Sequence, residues 1–300
     1  MPLRWRSRRR FDDIAAGERS LAGQERTVDD PVEILDNLWG LAWLREVVNP
    51  FPPSSNLSSP VTMPLPLVFL PAMPCDGRMY ADQLERLSDL VAPSVRVLAC
   101  PTFAESAENL LASIDGPFII AGTAYGGCLA MEVLARAPER VRGLWLMNCQ
   151  PGVHPYPDTV RATSRRIRAG EHEQVIAEFA ENAIPPEDAG SRAVFVQMAR
   201  DAGADRFARQ SDATLTRSDR WSTLATSTIP ALLIWGNADR FVPVDVGLRI
   251  AKLMPHARFE PLEGCGHFPT LERPSLCTDI SRRWLIEQVV GSPVHGVAFR

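Results

Sequence analysis

The sequence predicts an α/β protein with a mostly parallel, doubly wound sheet. Short apolar runs rich in Val, Ile and Leu alternate with longer stretches of helical period from about residue 66 onward. Such alternation favours parallel strands with helices on both faces. The alternation is interrupted once, between residues 150 and 228, where helical patterns follow one another without a clear strand.

Composition is that of an ordinary globular chain of 300 residues, with 45% hydrophobic residues, 23% charged residues and a net charge of −4. This length suits one α/β domain with an insertion or appendage. The mild negative charge provides no basic field to attract nucleic acid. No apolar stretch reaches the roughly 18 residues that span a bilayer. The six cysteines show no CxxC pair or metal-ligand spacing, which favours reduced thiols, a cytoplasmic location and no bound metal.

Residues 1–62 differ in pattern from the rest of the chain. An arginine-rich arm leads to a predicted helix over residues 32–48, with Asp30 as N-cap, and then to a Pro- and Ser-rich linker. The broad apolar face of this helix requires a covering surface, and three roles are open: packing on the rest of the chain, acting as a lid, or docking a protein partner. Residues 7–11 superficially match a twin-arginine export signal, but acids come directly after them and no apolar region appears.

The pattern also predicts domain boundaries. We expect an N-terminal arm, helix and linker (1–62), two core halves (63–149 and 229–290), a helical insertion (150–228) and a tail (291–300). Strands are predicted at residues 67–70, 95–100, 118–121, 141–148, 231–236 and 258–262. Helices are predicted after Asp76, which can cap the first of them, and at 104–114, 128–135, 160–168, 173–183, 189–201, 206–215, 246–254 and 275–290.

The central stretch runs from Phe118 through an apolar strand to Gly122, and then through a short turn to Gly126 and Gly127. An amphipathic helix pattern comes next. This predicts a strand, a sharp turn and a helix, with glycines where side chains would collide. The residue at the middle of the turn, Ala124, is then presented at the edge of the sheet.

This stretch resembles the nucleophile elbow of the α/β-hydrolase superfamily, written G-x-S-x-G, with Ala124 where the family has its serine. An alanine methyl group has no hydroxyl and cannot attack a carbonyl. Two explanations are open: an Ala-for-Ser change made to trap a ligand, or a natural relative that has lost or replaced the chemistry. Thr123 and Tyr125 flank Ala124, but a shift of one residue on a tight turn points a side chain in a different direction. Cys75 and Cys128 are more simply packing residues than substitute nucleophiles.

Two later loops carry the same resemblance. Residues 236–243, G-N-A-D-R-F-V-P, resemble the family's acid loop, and residues 264–267, G-C-G-H, resemble its histidine loop. The resemblance implies that Asp239 orients His267, which would act as the general base. A turn-capping aspartate is the alternative interpretation of Asp239. The order nucleophile, acid, histidine is that of the family.

The resemblance further implies an oxyanion hole made by the backbone N–H groups of Tyr125 and Met73. Residues 71–76, P-A-M-P-C-D, look like a variant of the P-G-L-x-C-D loop of some small bacterial members, with Ala72 where glycine is usual. In this superfamily an insertion such as residues 150–228 forms a cap over the active site.

These features favour hydrolysis of a carboxylic ester, lactone or thioester of a small-molecule acyl substrate, without a metal or organic cofactor. With Ala124 in place, we expect the chain to be nearly inactive. One alternative is a non-catalytic binding or interaction protein on the same fold, in which the arginine-rich arm and the predicted helix at 32–48 engage a partner. A third option keeps the fold for carbon–carbon cleavage, dehalogenation or proton transfer; the last two would require an aspartate nucleophile or a base at position 124, and alanine is neither.

Overall fold

The computed structural model describes residues 64–291. They contain a six-stranded sheet in the order β2-β1-β3-β4-β5-β6, in which every neighbouring pair is parallel. The strands are β1 Pro66–Leu70, β2 Ala92–Val95, β3 Phe118–Thr123, β4 Val141–Met147, β5 Ala231–Gly236 and β6 Ala257–Leu262. The α/β prediction is therefore confirmed. The predictions for residues 1–62, and for the tail beyond Gly291, lie outside the described residues.

Helices connect the strands. They are α1 Ala81–Arg86, α2 Phe103–Ala112, α3 Tyr125–Arg136, α4 Pro157–Arg166, α5 His172–Ala183, α6 Ala189–Ala213, α7 Trp221–Thr226, α8 Val244–Leu253, α9 Pro269–Glu272 and α10 Pro274–Trp284. Asp76 caps a short 3-10 turn at Gly77–Tyr80, directly before α1. Helices α4 to α7 all lie between β4 and β5, within the predicted insertion. No helix among residues 64–291 is long and apolar enough to cross a membrane.

The core has two parts, one on each face of the sheet. Because side chains alternate along a strand, Leu67 and Phe69 enter one hydrophobic cluster and Val68 and Leu70 the other. Side chains of α10 complete the first cluster, together with apolar residues of α5 and α6. Helices α2, α3 and α8 cover the second. Both faces are therefore buried, as a doubly wound sheet requires.

The second strand was predicted in the wrong place. β2 comprises Ala92–Val95, and its pairing with β1 ends at Phe69 and Val95. One further bond is present, from the Arg96 N–H to the Phe69 carbonyl at 3.0 Å. Residues 96–100 continue past the end of this ladder, and Val97 is 38% exposed. Of the predicted strand 95–100, only Val95 belongs to β2, and residues 96–100 form a loop that comes after this edge strand.

The two helices predicted at 189–201 and 206–215 form a single element, α6, interrupted at Gly203. This glycine has φ 72° and ψ 160°, outside the helical region. The predicted gap thus corresponds to a break in direction within α6. A 3-10 turn at Thr214–Thr216 continues the chain toward α7.

The start of α3 lies against the end of β1, and only glycine fits there. A Cβ atom on Gly126 would lie 1.9 Å from the Leu70 carbonyl oxygen, and one on Gly122 would lie 2.3 Å from the backbone of Gly126. A Cβ on Gly127 would lie 2.6 Å from the Cβ of Cys149. All of these distances are far below van der Waals contact, so any larger residue would push α3 away from the sheet.

The substitution Gly126→Ala should lower the free energy of unfolding by about 3 kcal/mol or more, because the new methyl group meets rigid backbone. Gly190→Ala is the matched control, since its Cβ would have only an Asp188 side-chain oxygen at 3.8 Å. We expect that variant to stay within about 1 kcal/mol of the parent. Urea unfolding followed by tryptophan fluorescence measures both, and equal effects at the two positions would contradict the packing argument.

Candidate active site

Ala124 forms the turn between β3 and α3 in a strained backbone conformation. Its φ is 50° and its ψ is −111°. Within the described residues, Ala124 and Asn148 are the two non-glycine residues with positive φ. Such a conformation costs about 1–3 kcal/mol and is typical of functional sites. The Ala124 N–H donates to the Met147 carbonyl at 2.9 Å, and its carbonyl accepts from the Cys128 N–H at 3.0 Å, so the turn is held from both sides.

Asp239 and His267 are in direct contact. Asp239 follows β5, its side chain is fully buried, and its Oδ2 lies 2.8 Å from Nδ1 of His267. The Phe241 N–H donates to Oδ1 at 2.8 Å. Since a carboxylate only accepts hydrogen bonds, Nδ1 of His267 is the donor in this contact, and in the neutral ring Nε2 is then the acceptor. This is the tautomer that a general base requires.

Asn148 lines a cavity beside Ala124 and also contacts Asp239. This residue was not predicted from the sequence. It directly follows β4, is completely buried, and donates from Nδ2 to Oδ2 of Asp239 at 2.6 Å. Its Oδ1 accepts from the Gly236 N–H at 3.1 Å, which fixes the side-chain amide. A polar residue placed directly after an apolar strand was the available signal, because the carboxyl ends of parallel strands share one edge.

The histidine loop is held by a buried glutamate, Glu272, which was also missed. Its two carboxylate oxygens accept from the N–H groups of Gly266 at 2.6 Å and Phe268 at 2.8 Å, on either side of His267. Burial raises the pKa of Glu272, and these two hydrogen bonds oppose that rise. The His267 N–H donates to the Ala183 carbonyl at the end of α5, at 2.7 Å. The loop is therefore tied both to α9 and to the insertion.

Aromatic rings enclose the imidazole of His267. The rings of Phe241 and Phe268 each lie 5.1 Å from it, at angles of 64° and 61°. The His267 side chain is 10% exposed. This packing restricts ring rotation and limits the access of water to the Asp239 contact.

A cavity of about 120 Å³ lies beside Ala124 and is also lined by Met73, Tyr125 and Asn148. Met73 follows β1, and Tyr125 begins α3, the helix that follows β3. The neighbouring strands β1 and β3 connect to helices on opposite faces of the sheet. Such a switch point is where ligands bind in open α/β sheets. Neither the Met73 nor the Tyr125 N–H has a backbone acceptor in the turns, loops and caps of residues 64–291. Asp239 and His267 do not line this cavity. Asp239 contacts the lining residue Asn148, and His267 in turn contacts Asp239.

His154 and Arg217 also line the cavity. Burial, together with the positive charge of Arg217, lowers the pKa of His154 to about 4. His154 is therefore neutral near neutral pH, and its Nδ1 accepts from the Tyr156 N–H at 3.1 Å. The cavity consequently has one positively charged side chain in its lining.

Two of the other nucleophile candidates, Thr123 and Cys75, are buried and do not line this cavity, whereas Cys128 does. The Thr123 hydroxyl is buried against the Tyr80 hydroxyl at 3.0 Å. Cys75 is completely buried, and burial raises its pKa far above the usual range, which makes it an inert thiol. Residues 64–291 contain no group of three His, Cys, Asp or Glu side chains suited to a metal ion.

A family model described as the alpha/beta hydrolase family matches residues 67–280 of this sequence. The chain belongs to the α/β hydrolase family. The match extends from β1 into α10 and includes all three motif loops.

Curated relatives match over different lengths. A 2-hydroxy-6-oxononadienedioate/2-hydroxy-6-oxononatrienedioate hydrolase of Cupriavidus pinatubonensis is 46% identical over 55 residues, which is 18% of this chain and 19% of that protein. The match thus spans about a fifth of that relative's length. A pimeloyl-[acyl-carrier protein] methyl ester esterase of Neisseria meningitidis is 25% identical over 212 residues, covering 67% of this chain and 80% of that protein.

Solved structures of α/β hydrolases share the fold. A thermophilic esterase from Thermogutta terrifontis has a TM-score of 0.69 and 21% identity, covering 74% of this chain and 90% of that chain. The enol-lactonase from Burkholderia xenovorans LB400 has a TM-score of 0.68 and 17% identity, covering 75% and 92%. At these identities the likeness is one of fold alone.

Replacing Glu272 with glutamine should lower the free energy of unfolding by about 1–3 kcal/mol, because an amide NH₂ would then face a backbone N–H in a buried place. Glu181→Gln, an exposed change on α5, is the matched control and should have little effect. Urea unfolding at pH 7 measures both variants. A Glu272→Gln variant as stable as the control would show that the two short hydrogen bonds do not hold the loop.

His154 should titrate at about pH 4 rather than at the ordinary 6.5, and Arg217→Gln should raise its pKa by removing the nearby charge. Between pH 6.5 and about pH 4, His154 binds more protons in the unfolded state than in the folded state. His154 therefore lowers the free energy of unfolding as the pH falls from 6.5 to about 4. Nuclear magnetic resonance of the imidazole C–H groups measures the titration. A midpoint near 6.5 in the parent, or no change in the variant, would contradict the placement of His154 beside Arg217.

Proposed function

We propose that this site is that of a hydrolase acting on carboxylic esters, lactones or thioesters, with Ala124 at the position of the nucleophile. The observation that carries the proposal is the Asp239–His267 hydrogen bond of 2.8 Å at the sheet edge that also presents the strained turn at Ala124. A histidine with a fixed tautomer beside a sharp strand-to-helix turn is the arrangement needed for acyl transfer.

With serine at position 124, Nε2 of His267 would take the hydroxyl proton as the oxygen attacks the carbonyl. Asp239 would stabilise the resulting imidazolium. The negative charge on the carbonyl oxygen would be held by the N–H groups of Tyr125 and Met73. The imidazolium would return its proton to the leaving group, and a water activated by His267 would release the acid.

The name of one relative supports this reaction class. The Neisseria relative is a methyl ester esterase, and that name describes cleavage at an acyl carbon–oxygen bond. Helices α4 to α7 would form the cap over the site, since the end of α5 contacts the His267 loop.

This chain is then a form with a disabled nucleophile. Removing the nucleophilic serine from such a site costs on the order of 10⁶ in kcat, while the remaining groups still bind substrate. Ala124 therefore predicts a protein that retains ligand with little turnover.

Ala124→Ser should raise the hydrolysis of p-nitrophenyl acetate and butyrate by on the order of 10³ or more over the unchanged chain. The reason is that the change adds a hydroxyl at the turn beside the proposed base and the proposed oxyanion donors. Adding His267→Ala to that variant should remove the gain. Initial rates measured by nitrophenolate absorbance report both changes.

Circular dichroism and thermal unfolding establish that each variant is folded. A folded Ala124→Ser variant that stays at background on esters, lactones and thioesters would overturn the hydrolase proposal. The alternative of a non-catalytic interaction protein would then be favoured, and loss of partner binding on deleting residues 1–62 would test it.

A further inference from the structure

Arg217 lines the cavity beside Ala124 and also a second pocket with Glu132 and Arg220, and its guanidinium group is only partly hydrogen-bonded. Its Nη1 donates to Sγ of Cys128 at 3.2 Å. Its Nε and Nη2 atoms are buried and have no hydrogen-bond partner among residues 64–291. Buried polar groups are usually paired, and an unpaired cationic one is especially costly. Two donors on one side chain therefore require an explanation.

The two unpaired atoms form the edge of a guanidinium that binds carboxylates side-on. Arg78 uses this edge on Asp76, from Nε to Oδ1 at 2.9 Å and from Nη2 to Oδ2 at 2.5 Å. Arg220 uses it on Glu132, with Nε and Nη2 at 2.9 and 2.5 Å from the same oxygen. The fork of N–H groups matches the spacing of a carboxylate, which makes such pairs strong and specific.

Residues 64–291 supply no carboxylate bonded to this edge of Arg217. Among these residues the lining of the cavity beside Ala124 contains no aspartate or glutamate. Glu132 lines a second pocket together with Arg217, but its carboxylate is already shared between Arg136 and Arg220. A molecule that enters the cavity can supply the counter-charge that this edge lacks among the described residues.

The charge of the cavity fits a single negative charge. Arg217 is the one lining residue that is always charged, because His154 is neutral near pH 7. A carboxylate carries one negative charge and presents two oxygens in one plane, whereas a phosphate would bring nearly two charges to a single cation. Gln150 and Thr214 also line the cavity and offer further polar contacts.

We propose that Arg217 is a specificity-determining residue that binds a free carboxylate on the substrate through Nε and Nη2. The inference rests on the proposed function, because Ala124 and the oxyanion donors line the same cavity. The substrate class is then a short ester, lactone or thioester that carries a carboxylate near the scissile bond. The volume of about 120 Å³ favours a compact acidic group.

Binding to the chain with Ala124 in place tests this directly. Monomethyl adipate and 4-acetoxybutyrate, with the carboxylate in the acyl or the alcohol portion, are compared with their uncharged methyl esters by calorimetry. At least one acid should bind about tenfold or more tightly than its neutral ester, because a buried charge-assisted pair is gained. Arg217→Gln should remove this preference, and Arg217→Lys should retain part of it.

Arg209→Gln is the matched control, since it removes the same charge from an exposed position on α6. That control should keep the preference. Thermal unfolding shows whether each variant is folded, and Arg217→Lys provides a second variant that keeps the charge. The proposal would be overturned if the chain bound each of the two acids no more tightly than its methyl ester. It would also be overturned if the preference for the acid were unchanged in both folded Arg217 variants.

A kinetic comparison separates this proposal from the proposed function. In the Ala124→Ser variant, kcat/KM for each acid and for its neutral ester gives the preference during turnover. Active enzyme without an acid preference would overturn the role of Arg217 and leave the hydrolase proposal standing. Arg217-dependent binding of an acid by a chain that stays inactive as Ala124→Ser would support the carboxylate site and count against hydrolysis.

Discussion

The contact between the start of α3 and the end of β1 is the constraint on which the site depends. Gly126 allows the helix backbone to approach the Leu70 carbonyl more closely than any side chain would permit. With the helix in this position, the chain must turn sharply after β3, and Ala124 takes up the strain with a positive φ. The same contact places the Tyr125 N–H beside the loop after β1, where Met73 lies. Packing at one glycine thus determines the turn and the neighbouring donors together.

Parallel strands then convert separate loops into one connected site. Ala124, Asn148, Asp239 and His267 follow β3, β4, β5 and β6 in turn, and the order of these strands in the sheet is the same. Hydrogen bonds run from Asn148 to Asp239 and from His267 to Asp239, with Glu272 holding the histidine loop from behind. Each link is buried, so the loss of one partner leaves an unpaired polar group. The positions of these four side chains are therefore stabilised by the free-energy cost of leaving a buried polar group unpaired.

The motif loops and the alternating pattern were sufficient to predict the parallel sheet and the place of the long helical segment. The strand predicted at residues 95–100 was wrong because an apolar run next to an edge strand has the same local pattern as a strand. Where the pairing stops is decided by the length of β1, which the local pattern does not show. Asn148, Glu272 and Arg217 escaped prediction for another reason. Their importance lies in which distant groups they contact or leave unpaired, and no local pattern records that. The roles of Ala124, Asp239, His267, Met73 and Tyr125 stay predictions, although the structure pairs Asp239 with His267 and groups the others around one cavity.

Stability alone does not explain the polar groups of this site. The Nε and Nη2 atoms of Arg217 are buried without partners among residues 64–291, and Ala124 holds a strained backbone. A fold kept only for its stability would replace such groups with apolar side chains, often at a gain. One ligand that carries both an acyl group and a carboxylate would satisfy Arg217 and the proposed oxyanion donors at once. The unpaired nitrogens of Arg217 and the strained backbone at Ala124 are thus destabilising features expected of a binding site. Both are present although position 124 lacks a hydroxyl.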